Sequence, residues 1–387
     1  MVQITLPVID GRTERYSLAP ASHFARTHAP SSTRTVFAAA HVVADPLTLN
    51  QPWDNPSLDW DATLAFRRHL WGLGFKVAEA MDTSQRGMGL DWRTAAELIA
   101  RVLAEAKATP GADLACGAGT DQLDPAAART LEDVIRAYEE QIAYVEKHGG
   151  RIILMASRAL CRVAKNPDDY LSVYDRLIRQ CSGKVILHWL GEMFDPALAG
   201  YWGSHQFRPA METVLTLIRQ RAAKIDGIKI SLLDAGKEIE MRRQLPDGVV
   251  MYSGDDFNYA ELIAGDEEGY SHGLLGIFDP IAPAAAAAFE LLDAGNRQGF
   301  FEILDPTVVL SRRLFEAPTQ YYKSGVVFLA WLNGFQSHFR MIGGAESARG
   351  ILYYADLFRL ADKARLFTDP ERAVRRMGHL CALNGID

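Results

Sequence analysis

Short apolar runs alternate with amphipathic segments along most of the chain. Runs of strand length occupy residues 35–43, 75–81, 113–117, 151–156, 184–189, 224–233, 249–253 and 273–278. Between and after them, residues 61–73, 91–107, 125–147, 168–180, 209–223, 234–244, 257–264 and 283–296 read as helices. Start signals support several of these: Asp59-Trp60 follows a Pro/Asn/Asp-rich loop, Asp91-Trp92 opens the second, and Pro125 sits suitably for a first turn. Short, continuously apolar strands alternating with helices imply parallel strands covered by helices. Eight such units over residues 35–297 match a closed barrel better than an open doubly wound sheet. The expected class is α/β, a (β/α)8 TIM barrel with a helical C-terminal extension.

The pattern changes at both ends. Residues 1–34 read as an N-terminal arm with a surface strand pair. Past residue 298 the strands stop, and 299–316, 321–340, 347–365 and 369–383 all read as helices. The expected domains are thus 1–34, the barrel 35–297, and the extension 298–387.

Composition narrows the possibilities. In 387 residues, 48% hydrophobic and 23% charged content is ordinary for a globular protein that buries a large core. A net charge of −7 offers no basic footprint, so no nucleic-acid partner is expected. The start, Met1-Val2-Gln3-Ile4-Thr5-Leu6-Pro7, has no basic region before an apolar core, so no export signal is expected. The apolar runs near residues 281–292 and 326–332 are too short to span a bilayer, so no membrane partner is expected. Cys116, Cys161, Cys181 and Cys381 form no CxxC pair and read as free thiols of a cytoplasmic protein. Gly117-Ala118-Gly119 lacks the third glycine of a dinucleotide fingerprint, and no cofactor is expected.

In such a barrel the chemistry sits at the C-terminal ends of the strands. That rule selects His41, residues 82–86 and 116–120, Ser157, Arg158, residues 188–192, Lys229, Ser231, residues 253–256, and Phe278-Asp279. Lys229 stands out because it lies between two isoleucines of an interior strand. Facing outward, it would snorkel to water. Facing inward, it would be desolvated, its ammonium disfavoured and its amine free to attack a ketone.

Three motifs carry a resemblance. Gly227-Ile228-Lys229-Ile230-Ser231, Tyr252-Ser253-Gly254-Asp255-Asp256 and Gly273-Leu274-Leu275-Gly276-Ile277-Phe278-Asp279-Pro280 resemble the sixth, seventh and eighth strand motifs of the dihydrodipicolinate synthase / N-acetylneuraminate lyase family. That resemblance implies a class I aldolase barrel in which Lys229 forms a Schiff base with pyruvate or another 2-oxo acid. It is best over residues 225–297.

The front half departs from the family pattern. Where the family has a Gly-Thr-Thr-Gly-Glu loop that holds the pyruvate carboxylate, this chain has Asp82-Thr83-Ser84-Gln85-Arg86-Gly87. Thr83 and Ser84 keep adjacent hydroxyls. The fourth strand, where the family carries a proton-shuttling tyrosine, ends in Met155-Ala156-Ser157-Arg158. Arg158 suits bidentate binding of a carboxylate or phosphate. His188 and Ser157 are the candidates to move protons. Ser231, Asp255 and Gly276 complete the expected substrate contacts, with Asp255 and Asp256 also placed to cap the helix after them.

The implied function is a Schiff-base lyase, of aldolase or dehydratase type, acting on pyruvate or a sugar-derived 2-oxo acid in carbohydrate metabolism. Family members are often tetramers, which implies a homo-oligomer, dimer or tetramer. Two alternatives stand beside it. One is a metal-dependent isomerase or class II aldolase using His188, Glu192 and Asp195, which with His205 make a loose set of four whose spacing fits no standard zinc pattern. The other is a non-catalytic barrel that binds a small acid.

Overall fold

The computed structural model describes residues 2–25, 27–49 and 55–386. Residues 50–54, within the loop expected before Trp60, lie outside the described residues. The chain opens with an antiparallel pair, β1 (Gln3–Pro7) and β2 (Thr13–Ser17). Then come β3 (Val36–Ala39), α1 (Trp60–Gly72), β4 (Lys76–Glu79), α2 (Trp92–Ala108), β5 (Leu114–Ala118) and α3 (Leu131–Lys147). The alternation continues through β6 (Arg151–Leu154), α4 (Arg158–Val163), α5 (Pro167–Gln180), β7 (Val185–Leu190) and α6 (Phe207–Arg221). It closes with β8 (Ile225–Ser231), α7 (Ala235–Arg242), β9 (Val250–Ser253), α8 (Tyr259–Ala264), β10 (His272–Leu275) and α9 (Ala282–Asp293). The last four helices are α10 (Arg297–Leu314), α11 (Tyr322–Asn333), α12 (Ile351–Lys363) and α13 (Pro370–Leu383).

Strands β3 to β10 form a closed barrel in the order β10-β3-β4-β5-β6-β7-β8-β9, every pair parallel. By internal packing the chain divides into two compact units. Residues 34–40 and 76–276 make one, which holds all the barrel strands and α2 to α8. Residues 1–33, 41–75 and 277–387 make the other, which holds the β1–β2 pair, α1 and α9 to α13. His41 belongs to this second unit, where its buried ring Nδ1 lies 2.8 Å from Asp279 Oδ2.

The barrel interior is filled by side chains, as strand alternation requires. Phe37, Ala39, Ala78, Met81, Ala115, Ile153, Met155, Ile186, Tyr252 and Leu274 pack together there. Two interior glycines make this possible. A Cβ at Gly117 would fall 2.6 Å from Met155 Sδ and 2.9 Å from Met81 Sδ. One at Gly227 would fall 2.7 Å from the ring of Tyr252.

Three differences from the sequence expectation have a clear local cause. The third helix starts at Leu131 rather than at Pro125, because Thr130 and Asp133 form a reciprocal capping box. The helix expected over 321–340 ends at Asn333, where Gly334 takes the left-handed conformation (φ 88°). The short helix α4 had no expected counterpart; the Ser157 hydroxyl starts it by accepting from Leu160 N at 3.0 Å.

Candidate active site

The site grows from strand β8 and its neighbours. In a parallel pair, residues in register lie side by side on one face of the sheet. Lys229 is in register with His188 on β7 and with Tyr252 on β9. Tyr252 belongs to the packed interior, so Lys229 and His188 face inward as well. Ser231, two residues on, shares that face, and its Oγ lies 3.4 Å from His188 Nε2. The isoleucines beside the lysine therefore point to the outer face.

Lys229 is 7% exposed, and its amine makes no hydrogen bond or ion pair among the described residues. Burial lowers its pKa from the ordinary 10.5, while the charges of Asp82 and Asp256 pull the other way. His188 is buried too. Desolvation and the neighbouring lysine hold its pKa well below 6.5, so the imidazole is neutral. Its Nδ1 is buried without a hydrogen-bond partner among the described residues. Gly254 leaves room for the lysine chain: a Cβ there would lie 2.7 Å from Lys229 Cε and would also collide with Ser231 Oγ.

Beside this pair, at the C-terminal ends of the strands, lies a cavity of about 270 Å³. His188, Asp82, Arg86, Thr120, Met155 and Arg158 are among the residues that line it. His188 and Leu190 line it on the β7 side, and Lys229 is the β8 residue in register with His188. Arg86 is fully engaged: it grips Asp121, with Nε to Oδ2 at 2.8 Å, and donates to Gln141 Oε1 and the carbonyls of Ala80 and Gly117. Burial works to raise the Asp121 pKa, but the Arg86 guanidinium outweighs it and the net shift is downward. Arg158 is different. Its Nε donates to Asp195 Oδ2 at 2.5 Å, while neither Nη donates to any described residue. That free edge packs over Gly87, whose absent Cβ would sit 3.6 Å from Nη1.

The structure brings together Lys229, His188 and Ser231, and places Arg158 on the same cavity as His188. The other expected residues stand back from it. Ser157 is buried; it caps α4 and shares a 2.6 Å hydrogen bond with Thr120 Oγ1. Ser84 is also buried, its hydroxyl donating to Ala40 O at 2.7 Å and its amide to Met81 O at 3.1 Å. Thr83 is buried next to it and does not line the cavity. Asp255 accepts from the amides of Phe257 and Asn258 and from Asn258 Nδ2, a capping role. Gly276 is buried just past the end of β10. Two lining residues, Asp82 and Thr120, had as their only sequence signal a position just past a strand end.

The four residues of the metal alternative do not gather into one ligand set. His188 lines the main cavity, whereas Glu192 and His205 line a second one of about 140 Å³. Asp195 pairs with Arg158. Among the described residues, no group of three or more His, Cys, Asp or Glu is placed to hold a metal ion. All four cysteines are free, and Cys161 is the one not fully buried. No helix among the described residues is long and apolar enough to cross a membrane.

Comparison with known proteins gives three findings. A family model described as "Protein of unknown function (DUF993)" matches residues 4–386. No curated protein matches the chain in sequence. Solved structures match over most of the chain at low identity. Dihydrodipicolinate synthase from Aquifex aeolicus matches at TM-score 0.64 and 12% identity, covering 86% of this chain and 98% of its own. YagE, a prophage protein of the dihydrodipicolinic acid synthase family from E. coli K12 solved with pyruvate, matches at 0.65 and 12%, covering 87% and 100%. The pyruvate complex of the chloride-inhibited dihydrodipicolinate synthase from Acinetobacter baumannii matches at 0.62 and 14%, covering 87% and 100%. At these identities the likeness is one of fold: the chain has the barrel and C-terminal helices of that group.

Proposed function

The chain belongs to the DUF993 family, and we propose that it is a class I lyase forming a Schiff base between Lys229 and a 2-oxo acid. One observation carries the reading. An inward-facing, desolvated lysine that makes no hydrogen bond or ion pair among the described residues stands in register with a neutral imidazole that lines a small cavity at the strand ends. Structural neighbours solved with pyruvate in the same fold support the substrate class.

The chemistry follows from the geometry. Burial keeps part of the Lys229 amine neutral, and a neutral amine adds to the C2 ketone. The resulting carbinolamine loses water to an iminium ion. That cation draws electrons from the neighbouring carbon, so a carbon–carbon or carbon–oxygen bond there can break. Water then hydrolyses the imine and frees the lysine. His188, neutral and without a partner at Nδ1 among the described residues, can hydrogen-bond the reacting oxygen, with Ser231 beside its Nε2. The free Nη edge of Arg158 is the group suited to the substrate carboxylate. The Ser84 amide and hydroxyl proton are already committed to backbone carbonyls, which favours this division of labour over a hydroxyl-lined carboxylate site.

The test is borohydride trapping followed by intact-mass analysis, using pyruvate and a panel of 2-oxo sugar acids. A stable adduct is expected with at least one of them. It should vanish in Lys229→Ala and persist in Lys237→Ala, whose lysine pairs with Asp234 at the surface. An adduct that survives Lys229→Ala, or none at all from the folded protein, contradicts the proposal.

A further inference from the structure

We propose that Asp82 is the acid–base group of this reaction: its carboxylate takes the proton released as the iminium becomes an enamine, and gives it back afterwards. The assignment rests on the reading of Lys229 as the Schiff-base nucleophile. It supplies the proton carrier for which the sequence offered only His188 and Ser157.

The chain delivers Asp82 to the cavity by a sharp turn. Strand β4 ends at Glu79, Ala80 takes a left-handed φ of 52°, and a single 3-10 turn begins at Asp82. Its side chain is half-buried and lines the same cavity as His188 and Arg158. The other cavity acids are spent, Asp121 on Arg86 and Asp195 on Arg158. Asp82 makes no side-chain hydrogen bond or ion pair among the described residues. No tyrosine lines this cavity among the described residues. The Ser157 hydroxyl is engaged by Thr120 and Leu160 N. His188 is held neutral by burial and by Lys229, which makes it a weak base. Asp82 is thus the cavity group both free and able to carry a whole proton.

Its charge acts on the nucleophile as well. The Asp82 carboxylate favours the cationic form of the Lys229 nitrogen, opposing burial. An iminium at that nitrogen carries the same positive charge and gains the same stabilisation.

The step balances without an added reagent other than water. In a 4-hydroxy-2-oxo acid bound as the iminium, Asp82 takes the C4 hydroxyl proton. The C3–C4 bond breaks, its electrons neutralise the iminium as an enamine, and an aldehyde leaves. Protonated Asp82 then gives its proton to C3, restoring an iminium that water hydrolyses. With pyruvate alone, the same carboxylate removes and returns a methyl proton.

Pyruvate in deuterium oxide therefore tests the assignment. Wild-type protein should exchange the methyl protons of pyruvate, followed by NMR, and should yield the borohydride adduct. In Asp82→Asn, a near-isosteric change at an unbonded side chain, the adduct should remain while exchange falls by about 10²–10⁴-fold. Asp82→Glu should restore part of the rate. Exchange at the wild-type rate in Asp82→Asn overturns the assignment. Loss of adduct and exchange together in folded Asp82→Asn also overturns it, moving Asp82 to Schiff-base formation. If wild-type protein gives no adduct, the Schiff-base reading itself falls and takes the assignment with it.

Discussion

Lys229 combines three conditions that rarely meet in one lysine. It faces inward, it is desolvated, and its amine makes no hydrogen bond or ion pair among the described residues. Its lowered pKa has a direction that kinetics can read. The neutral, reactive fraction grows as pH rises through that pKa, so the rate of borohydride-trapped imine formation should reach half its plateau below the ordinary lysine value of 10.5. A midpoint at or above 10.5 would mean that the amine is solvated. Gly254 offers a second residue-scale test. A Cβ there would lie 2.6 Å from Ile230 O and 2.7 Å from Lys229 Cε, with Ser231 Oγ closer still. Overpacking of this kind costs about 1–3 kcal/mol. Gly254→Ala should therefore lower the denaturation midpoint and displace the lysine enough to cut adduct formation. Wild-type behaviour on both counts would show that the lysine chain does not run past this glycine.

At the scale of elements, the α7–β9 contact carries a buried acid. Glu238 on α7 is almost fully buried, accepting from Ser253 Oγ at 3.1 Å. Desolvation pushes its pKa up to about 8, well above the ordinary 4.5. A group whose pKa is raised by folding binds more protons in the native state. Its contribution is thus fully present below pH 4.5 and lost as pH rises through about 8. Across that window each unit of pH removes about 1.4 kcal/mol at most. Urea unfolding at pH 5 and pH 8 should show stability falling, and Glu238→Gln should flatten the difference. A slope unchanged by that substitution would assign the pH dependence elsewhere. The elements also show what the sequence carried. Strand positions were legible because each strand is a short apolar run between polar breaks. Helix ends were less so, because a capping box such as Thr130 with Asp133 wins over an upstream proline only through local hydrogen bonds. Helix α4, six residues begun by one serine, is too short to show a period.

At the scale of the molecule, the closed parallel barrel and the run of C-terminal helices were readable from the alternation alone, and the solved structures share both. The site was readable in part. Lys229 and His188 could be named because they interrupt apolar strands, and their pairing follows from register. Which loop groups are free could not be read. Ser84, Ser157 and Asp255 look in sequence like substrate ligands, yet their polar atoms are engaged by backbone and neighbours. Asp82 looks like a loop acid, yet of the cavity's acids it is the one whose side chain makes no hydrogen bond or ion pair among the described residues. That distinction belongs to tertiary hydrogen bonding, which residue type alone does not encode. Every residue invoked in the reaction lies in the barrel unit, residues 34–40 and 76–276. The most direct test is a crystal structure of the protein soaked with pyruvate. Electron density should run continuously from Lys229 Nζ to C2 of the pyruvate, with the carboxylate on the Nη edge of Arg158 and Asp82 facing the methyl group. Pyruvate bound in the cavity with Lys229 unmodified and turned away would contradict it.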